Sequence, residues 1–295
     1  AKAITPDPSS DIPNGVTADM SVITSDNTSM ADYYGGIAYF TDLQGQLWKY
    51  NLSKTSLDDG NDNLFELNLA YRAEGTLANG RYGFNQVATT IIKDGSGARS
   101  LFNYFGTGNQ SRIQSRDSTI NNRIFGIRDT DFPGYRLTLT GTKKNADSRD
   151  SQNIDTAKCV TDVTQNWWSN AYSKTTLVPS PDKDWTKIIG RALIEEDKKI
   201  NFTIYRPEAR ACPLKGESQI IVISDGCGGS TQYDLGEGLA TAPISDGRGN
   251  IYVGVSNLAK GSKIGGDGTN NITRLGTGKE SSKGVDWKSW QEITY

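Results

Sequence analysis

Any proton transfer this chain performs must run without histidine, because the sequence contains none. That removes Ser-His-Asp triads, Cys-His pairs and His-ligated zinc or copper, and leaves acid–base work to carboxylates, tyrosines and lysines. No residue stands out as catalytic. The three cysteines, Cys159, Cys212 and Cys227, are too few for a four-cysteine zinc site, and no Cys-x-x-Cys pair occurs. Cys212 and Cys227 flank the run ESQIIVIS and are a candidate loop-closing disulfide. Cys159 with either of the others is the competing pairing, and three buried thiols is the third arrangement. The adjacent Trp167 and Trp168 follow a polar stretch. Neighbouring strand residues face opposite ways, so one ring is expected at the surface, as a platform for a sugar or a protein contact.

The elements that position these groups read as strands. IAYFTDLQGQLWKYNLS, residues 37–53, alternates apolar and polar residues, breaks at Leu43-Gln44-Gly45-Gln46 and resumes, which predicts a hairpin. Tyr39 enters it, Asp42 is expected to cap the turn through backbone N–H groups, and Trp48 and Tyr50 leave it. The same style recurs in MSVIT, LFELNLAYRA, QVATTIIKD, SLFNYFGTG, NRIFGIRD and YRLTLTG. Beyond residue 158 it returns in WTKIIGRALIEED, KINFTIYRP, SQIIVISDG, STQYDLG, TAPISDG, NIYVGVSN and NITRLGTG. CVTDVTQNWWSNAYSK, around the tryptophan pair, reads as one short helix or a turn. No helices of ten or more residues separate the strands, so a parallel α/β fold is excluded. Residues 1–20 read as an extended lead-in, 21–295 as one all-β domain, and 141–158 as a polar surface insertion.

VATTIIKDGSGARSLFNYFGTGN (87–109) and LATAPISDGRGNIYVGVSN (239–257) share an Asp-Gly-x-Gly turn followed by an aromatic strand. A hairpin of this kind cannot bury both faces alone, so copies must stack. Stacked, radially repeated sheets are a β-propeller. The hairpin at 37–53 is expected in the inner part of a blade, with Trp48 and Tyr50 sealing blade against blade. The net charge of −2, without a basic stripe, argues against nucleic-acid binding. No apolar run approaches about 18 residues, so no membrane span is expected.

Several stretches together resemble the C-terminal β-propeller of the PilC/PilY-type proteins, adhesins and biogenesis factors of the type IV pilus tip. They are YFTDLQGQLWKYNLS, LFNYFGTGN leading into RIFGIRD, RPEARACPLKGES and WKSWQEI, in the family's order from residue 37 to the end. Within them Tyr39, Asp42, Gly45, Trp48 and Tyr50 match the family's hairpin, with Thr41 in place of a glycine. Pro207, Cys212, Gly216 and Ser218 match a later stretch.

The resemblance implies a modified seven-bladed propeller of which this chain is the later blades, paired with the N-terminal remainder of the same protein. It implies a location outside the cell at the pilus tip, reached through the periplasm. It also implies minor pilins as partners, and a host or abiotic surface as ligand, bound without catalysis. Family members often carry a calcium loop before the hairpin. In SDNTSMAD the candidate oxygen ligands are Asp26, Asn27, Ser29 and Asp32. Two alternatives stand beside this reading: a quinoprotein-like propeller dehydrogenase, and a glycan-binding or scaffold propeller unrelated to pili.

Overall fold

The fold is that of a computed structural model, which describes residues 4–23, 36–52, 65–93, 99–116, 121–129, 132, 146–147, 152–153, 166–170, 185–195, 198–208, 216–223, 230–247, 249–256 and 272–276. Strands dominate these residues, and one 3₁₀ turn at Gln110–Arg112 is the helical element among them. No helix among the described residues is long and apolar enough to cross a membrane.

Four sheets follow one another in chain order. The first holds β1 (Ser21–Ile23), β2 (Ile37–Thr41), β3 (Gln46–Asn51) and β4 (Leu67–Arg72). The second holds β5 (Ala88–Lys93), β6 (Arg99–Gly106), β7 (Arg123–Asp129) and β10 (Trp167–Asn170). The third is β11 (Lys187–Ile194), β12 (Ile200–Pro207), β13 (Gly216–Ile223) and β14 (Ser230–Glu237), and the fourth β15 (Ile244–Ser245), β16 (Asn250–Gly254) and β17 (Ile272–Gly276). Within each sheet these strands pair antiparallel with their neighbours in sequence. Successive meander sheets of this kind make an all-β, β-propeller-like fold.

Apolar layers between consecutive sheets hold the stack together. Tyr39, Leu47 and Tyr71 of the first sheet pack on Leu101, Phe105 and Phe125 of the second. Phe102, Tyr104 and Trp167 pack on Ile188, Phe202 and Ile221 of the third. Ile220, Val222 and Leu235 meet Ile251 and Val253 of the fourth. Leu101 and Phe102, like Ile220 and Ile221, go to opposite layers, as strand alternation requires. Burial on both faces explains the nearly continuous apolar runs in β6 and β13.

The hairpin's strands are the second and third of the first sheet, with β1 paired to the other edge of β2. Two expectations are corrected. Ile37, Tyr39 and Leu47 face the second sheet, while Trp48 and Tyr50 pack with Phe40, Leu67, Leu69 and Ile4 on the opposite face. The stretch around Trp167 is neither helix nor turn but strand β10, paired with β7. The reason lies across the strand: Trp167 stands opposite Gly126, and its indole occupies the space a side chain there would need.

The polar insertion also contributes two short strands. β8 (Ala146–Asp147) pairs parallel with β4, and β9 (Gln152–Asn153) pairs parallel with β10. Each extends a sheet beyond its fourth strand, where unpaired N–H and C=O groups would otherwise lie open. YRLTLTG, at 135–141, lies outside the described residues. The lead-in, residues 4–20, forms no strand but is tied to the first sheet. The Asp7 amide donates to Gln44 Oε1 at 2.7 Å, and Gln44 Nε2 donates to the Ile12 carbonyl at 2.7 Å.

Three hairpin turns are closed by one hydrogen-bond pattern. The Asp42 amide donates to the Gln46 carbonyl, and the Gly45 amide donates to the Asp42 carbonyl. Glu195, Lys198 and Lys199 repeat this set, and the Asp246 amide donates to the Asn250 carbonyl. The residue three after each acid has positive φ: Gly45 at 70°, Lys198 at 65° and Gly249 at 82°. The acid's side chain then accepts from the residue six further on: Trp48, Asn201 and Tyr252 respectively.

Candidate functional site

The first group to place is the hairpin. Asp42 is fully buried, and its carboxylate is held by three donors: the Gln46 amide, Gln46 Nε2 and Trp48 Nε1, each at 2.9 Å. Burial pushes its carboxyl up from the ordinary value, and the bonds from Trp48 and Gln46 pull it back. These contacts make it a turn-closing acid rather than an open acid–base group. Close by in the first layer, Asp129 Oδ2 accepts from the Tyr39 hydroxyl at 2.6 Å and lies 2.6 Å from Lys49 Nζ. This buried ion pair joins the first sheet to the second.

Trp167 is 1% exposed and belongs to the layer against the third sheet, so it offers no ring to a surface ligand. Trp168 is half-buried, with the Arg123 guanidinium 3.6 Å above its ring. The pair is thus placed mainly by packing. Asp26, Asn27, Ser29 and Asp32, the calcium candidates, lie outside the described residues, as do Cys159, Cys212 and Cys227. No cluster of three or more acidic, Cys or His side chains suited to a metal occurs among the described residues.

A concave site lies at one end of the third sheet. There the start of β11, the end of β12, the start of β13 and the end of β14 come together, since these strands run antiparallel. A pocket of about 260 Å³ is lined by Trp185, Arg206, Pro207 and Glu208, and by Gly216, Glu217 and Glu237. Arg206 faces Glu217 across β12–β13, and Glu217 faces Glu237 across β13–β14. Glu208, Glu217, Glu237 and Arg206 thus border the pocket beside the Trp185 ring, and two further cations, Arg116 and Lys187, stand against that residue.

The wall is fixed from behind. Lys187 is 0% exposed, and its ammonium donates to the Ser115 carbonyl at 2.7 Å and the Trp185 carbonyl at 3.1 Å. Burial pulls that ammonium down to about 8. One residue beyond Ser115, the Arg116 guanidinium lies over the Trp185 ring at 5.3 Å. Gln114 of the same loop donates to the Tyr205 hydroxyl at 2.6 Å, and burial raises that hydroxyl above its ordinary value. The loop between β6 and β7 is thereby clamped onto the third sheet. A buried cation bonded to carbonyls is a costly device for holding a loop, and it preorganises the pocket.

Sequence reasoning passed over Trp185, Lys187, Glu208, Glu217 and Glu237. A signal existed for some of them. RPEARACPLKGES runs from Arg206 to Ser218 and places charged residues directly at the ends of apolar strands.

No family model matches the chain, and no curated protein matches it. Among solved structures, a Hadza microbial sialidase, Hz136, aligns with 80% of this chain at 13% identity and a TM-score of 0.33. The alignment spans 41% of that sialidase chain.

Proposed function

We propose that this chain is the propeller part of a PilC/PilY-like protein of the type IV pilus tip. On this reading it acts by binding, to minor pilins and to a host or abiotic surface, and not by catalysis. The observation that carries the reading is the pocket at the end of the third sheet. It is bounded by Arg206, Pro207, Glu208, Gly216 and Glu217, the two ends of the RPEARACPLKGES stretch that bears the family resemblance. An aromatic ring among charged side chains, held by a clamped loop, is the chemistry of a recognition site. The buried Asp42 of the resembling hairpin supports the same reading, because its oxygens are engaged by Gln46 and Trp48.

The test is in-cell cross-linking in a piliated bacterium carrying the gene, followed by purification through a tag on this protein. Minor pilins are expected in the cross-linked product. Recovery of the protein with no pilus component, together with quinone absorbance and substrate-dependent dye reduction, would replace this reading with the dehydrogenase one.

A further inference from the structure

We propose that the first sheet binds one buried water molecule between Asp7 of the lead-in, Gln46 of β3 and Arg72 of β4, and that this water fastens the lead-in to the strand ends. The site is separate from the pocket and independent of the binding role proposed above. Gln46 stands opposite Arg72 across β3–β4. Arg72 Nε lies 3.6 Å from Asp7 Oδ2, too far for a direct hydrogen bond and a spacing that one water spans. Gln44 closes the circle: its Oε1 accepts from the Asp7 amide at 2.7 Å and from Gln46 Nε2 at 3.3 Å.

Three atoms of this circle are buried and have no hydrogen-bond partner among the described residues: Asp7 Oδ2, Gln46 Oε1 and Arg72 Nε. Asp7 is 2% exposed and Gln46 0%. Their other polar atoms are already engaged. Asp7 Oδ1 accepts from the Ser9 amide and hydroxyl. Gln46 Nε2 donates to Asp42 Oδ2 at 2.9 Å and to the Thr5 carbonyl at 3.2 Å, two acceptors that fix which way the amide points. The atoms left over are two acceptors and one donor. A molecule that donates twice and accepts once satisfies all three, and three such bonds are the usual complement of a buried water. A hard cation would stand beside a guanidinium with two side-chain oxygens, where it takes about six to eight oxygen ligands. An anion would face the Asp7 carboxylate and the Gln46 oxygen. A direct Arg72–Asp7 bond would leave Gln46 Oε1 unmatched.

The place of this joint in the fold gives it a role. It lies where β2 ends, β3 begins and β4 ends, which is the end of the first sheet that corresponds to the pocket end of the third. Thr5, Asp7 and Ile12 are bonded there by Gln44 and Gln46. The chain's own lead-in thus fills at the first sheet the place that is a pocket at the third, and the water completes its attachment.

The test is a high-resolution crystal structure of the intact chain, together with amide hydrogen exchange of the wild type and Arg72→Met. The density is expected to show one solvent peak about 2.7–3.2 Å from Asp7 Oδ2, Gln46 Oε1 and Arg72 Nε. The Asp7 amide reports attachment of the lead-in, and in Arg72→Met it is expected to exchange at least about tenfold faster, with exchange in β6 unchanged. Arg72 Nε bonded directly to Asp7 with no solvent peak between them would overturn the proposal. So would a metal or an anion at that position, or Asp7 exchange unaltered in Arg72→Met. If the variant does not fold, the wild-type density decides by itself.

Discussion

Asp42 and Lys187 are buried ionisable groups used in opposite ways, and each makes a prediction. Asp42 Oδ2 accepts from both Gln46 Nε2 and Trp48 Nε1. Asp42→Asn sets an amide against those donors or turns it onto the Gln46 amide, and either orientation leaves a buried donor unmatched. The expected cost is about 2–3 kcal/mol, read as a lower urea midpoint with an unchanged slope. Lys187 sits at about 8 in the folded chain against an ordinary 10.5. Between those values the unfolded chain holds a proton the folded chain has released, so native stability rises with pH across that window. Lys187→Met has no such group. The stability difference between the two proteins should therefore move in favour of the wild type from pH 7.5 to 10. Parallel pH profiles would refute this account of Lys187.

At the scale of elements, the repeated acidic turns separate two causes of strain. Lys198 holds φ at 65° in the place where the other two turns use glycine. Lys198→Gly should stabilise by about 1 kcal/mol, because a side chain in the left-handed region costs about that much. Gly45→Ala should do the reverse, by about 1–2 kcal/mol, since φ is 70° and a Cβ would lie 2.9 Å from the Arg81 carbonyl oxygen. Both are read by chemical denaturation.

Gly126 is a glycine of another kind, needed for space. Gly126→Val drives a branched side chain into the Trp167 indole and should lower stability by about 2–3 kcal/mol. The strands were legible because alternation and aromatic runs are local. The β10 strand was not, since the room for Trp167 is made by a residue 41 positions earlier in the chain, on the paired strand. The two short strands in the polar insertion were hidden for the same reason: two residues carry no periodicity, and their partners are elsewhere.

Across the whole molecule, the order of sheets could be read from the sequence, because each strand pairs mainly with its neighbour in the chain. The pocket could not. Trp185, Arg206, Glu208, Glu217 and Glu237 approach one another only because four antiparallel strands end on the same side. No spacing in the sequence encodes that. The hairpin around Asp42 drew the sequence reading because its motif is compact, yet its acid serves the turn. The pocket's members are scattered, and they supply the surface on which the functional proposal rests. The measurement that bears most directly on that proposal is immunogold labelling of piliated cells, using antibody raised against this chain. The account predicts label at the distal ends of pili. Label confined to the cell body, with bare pilus tips, would contradict it.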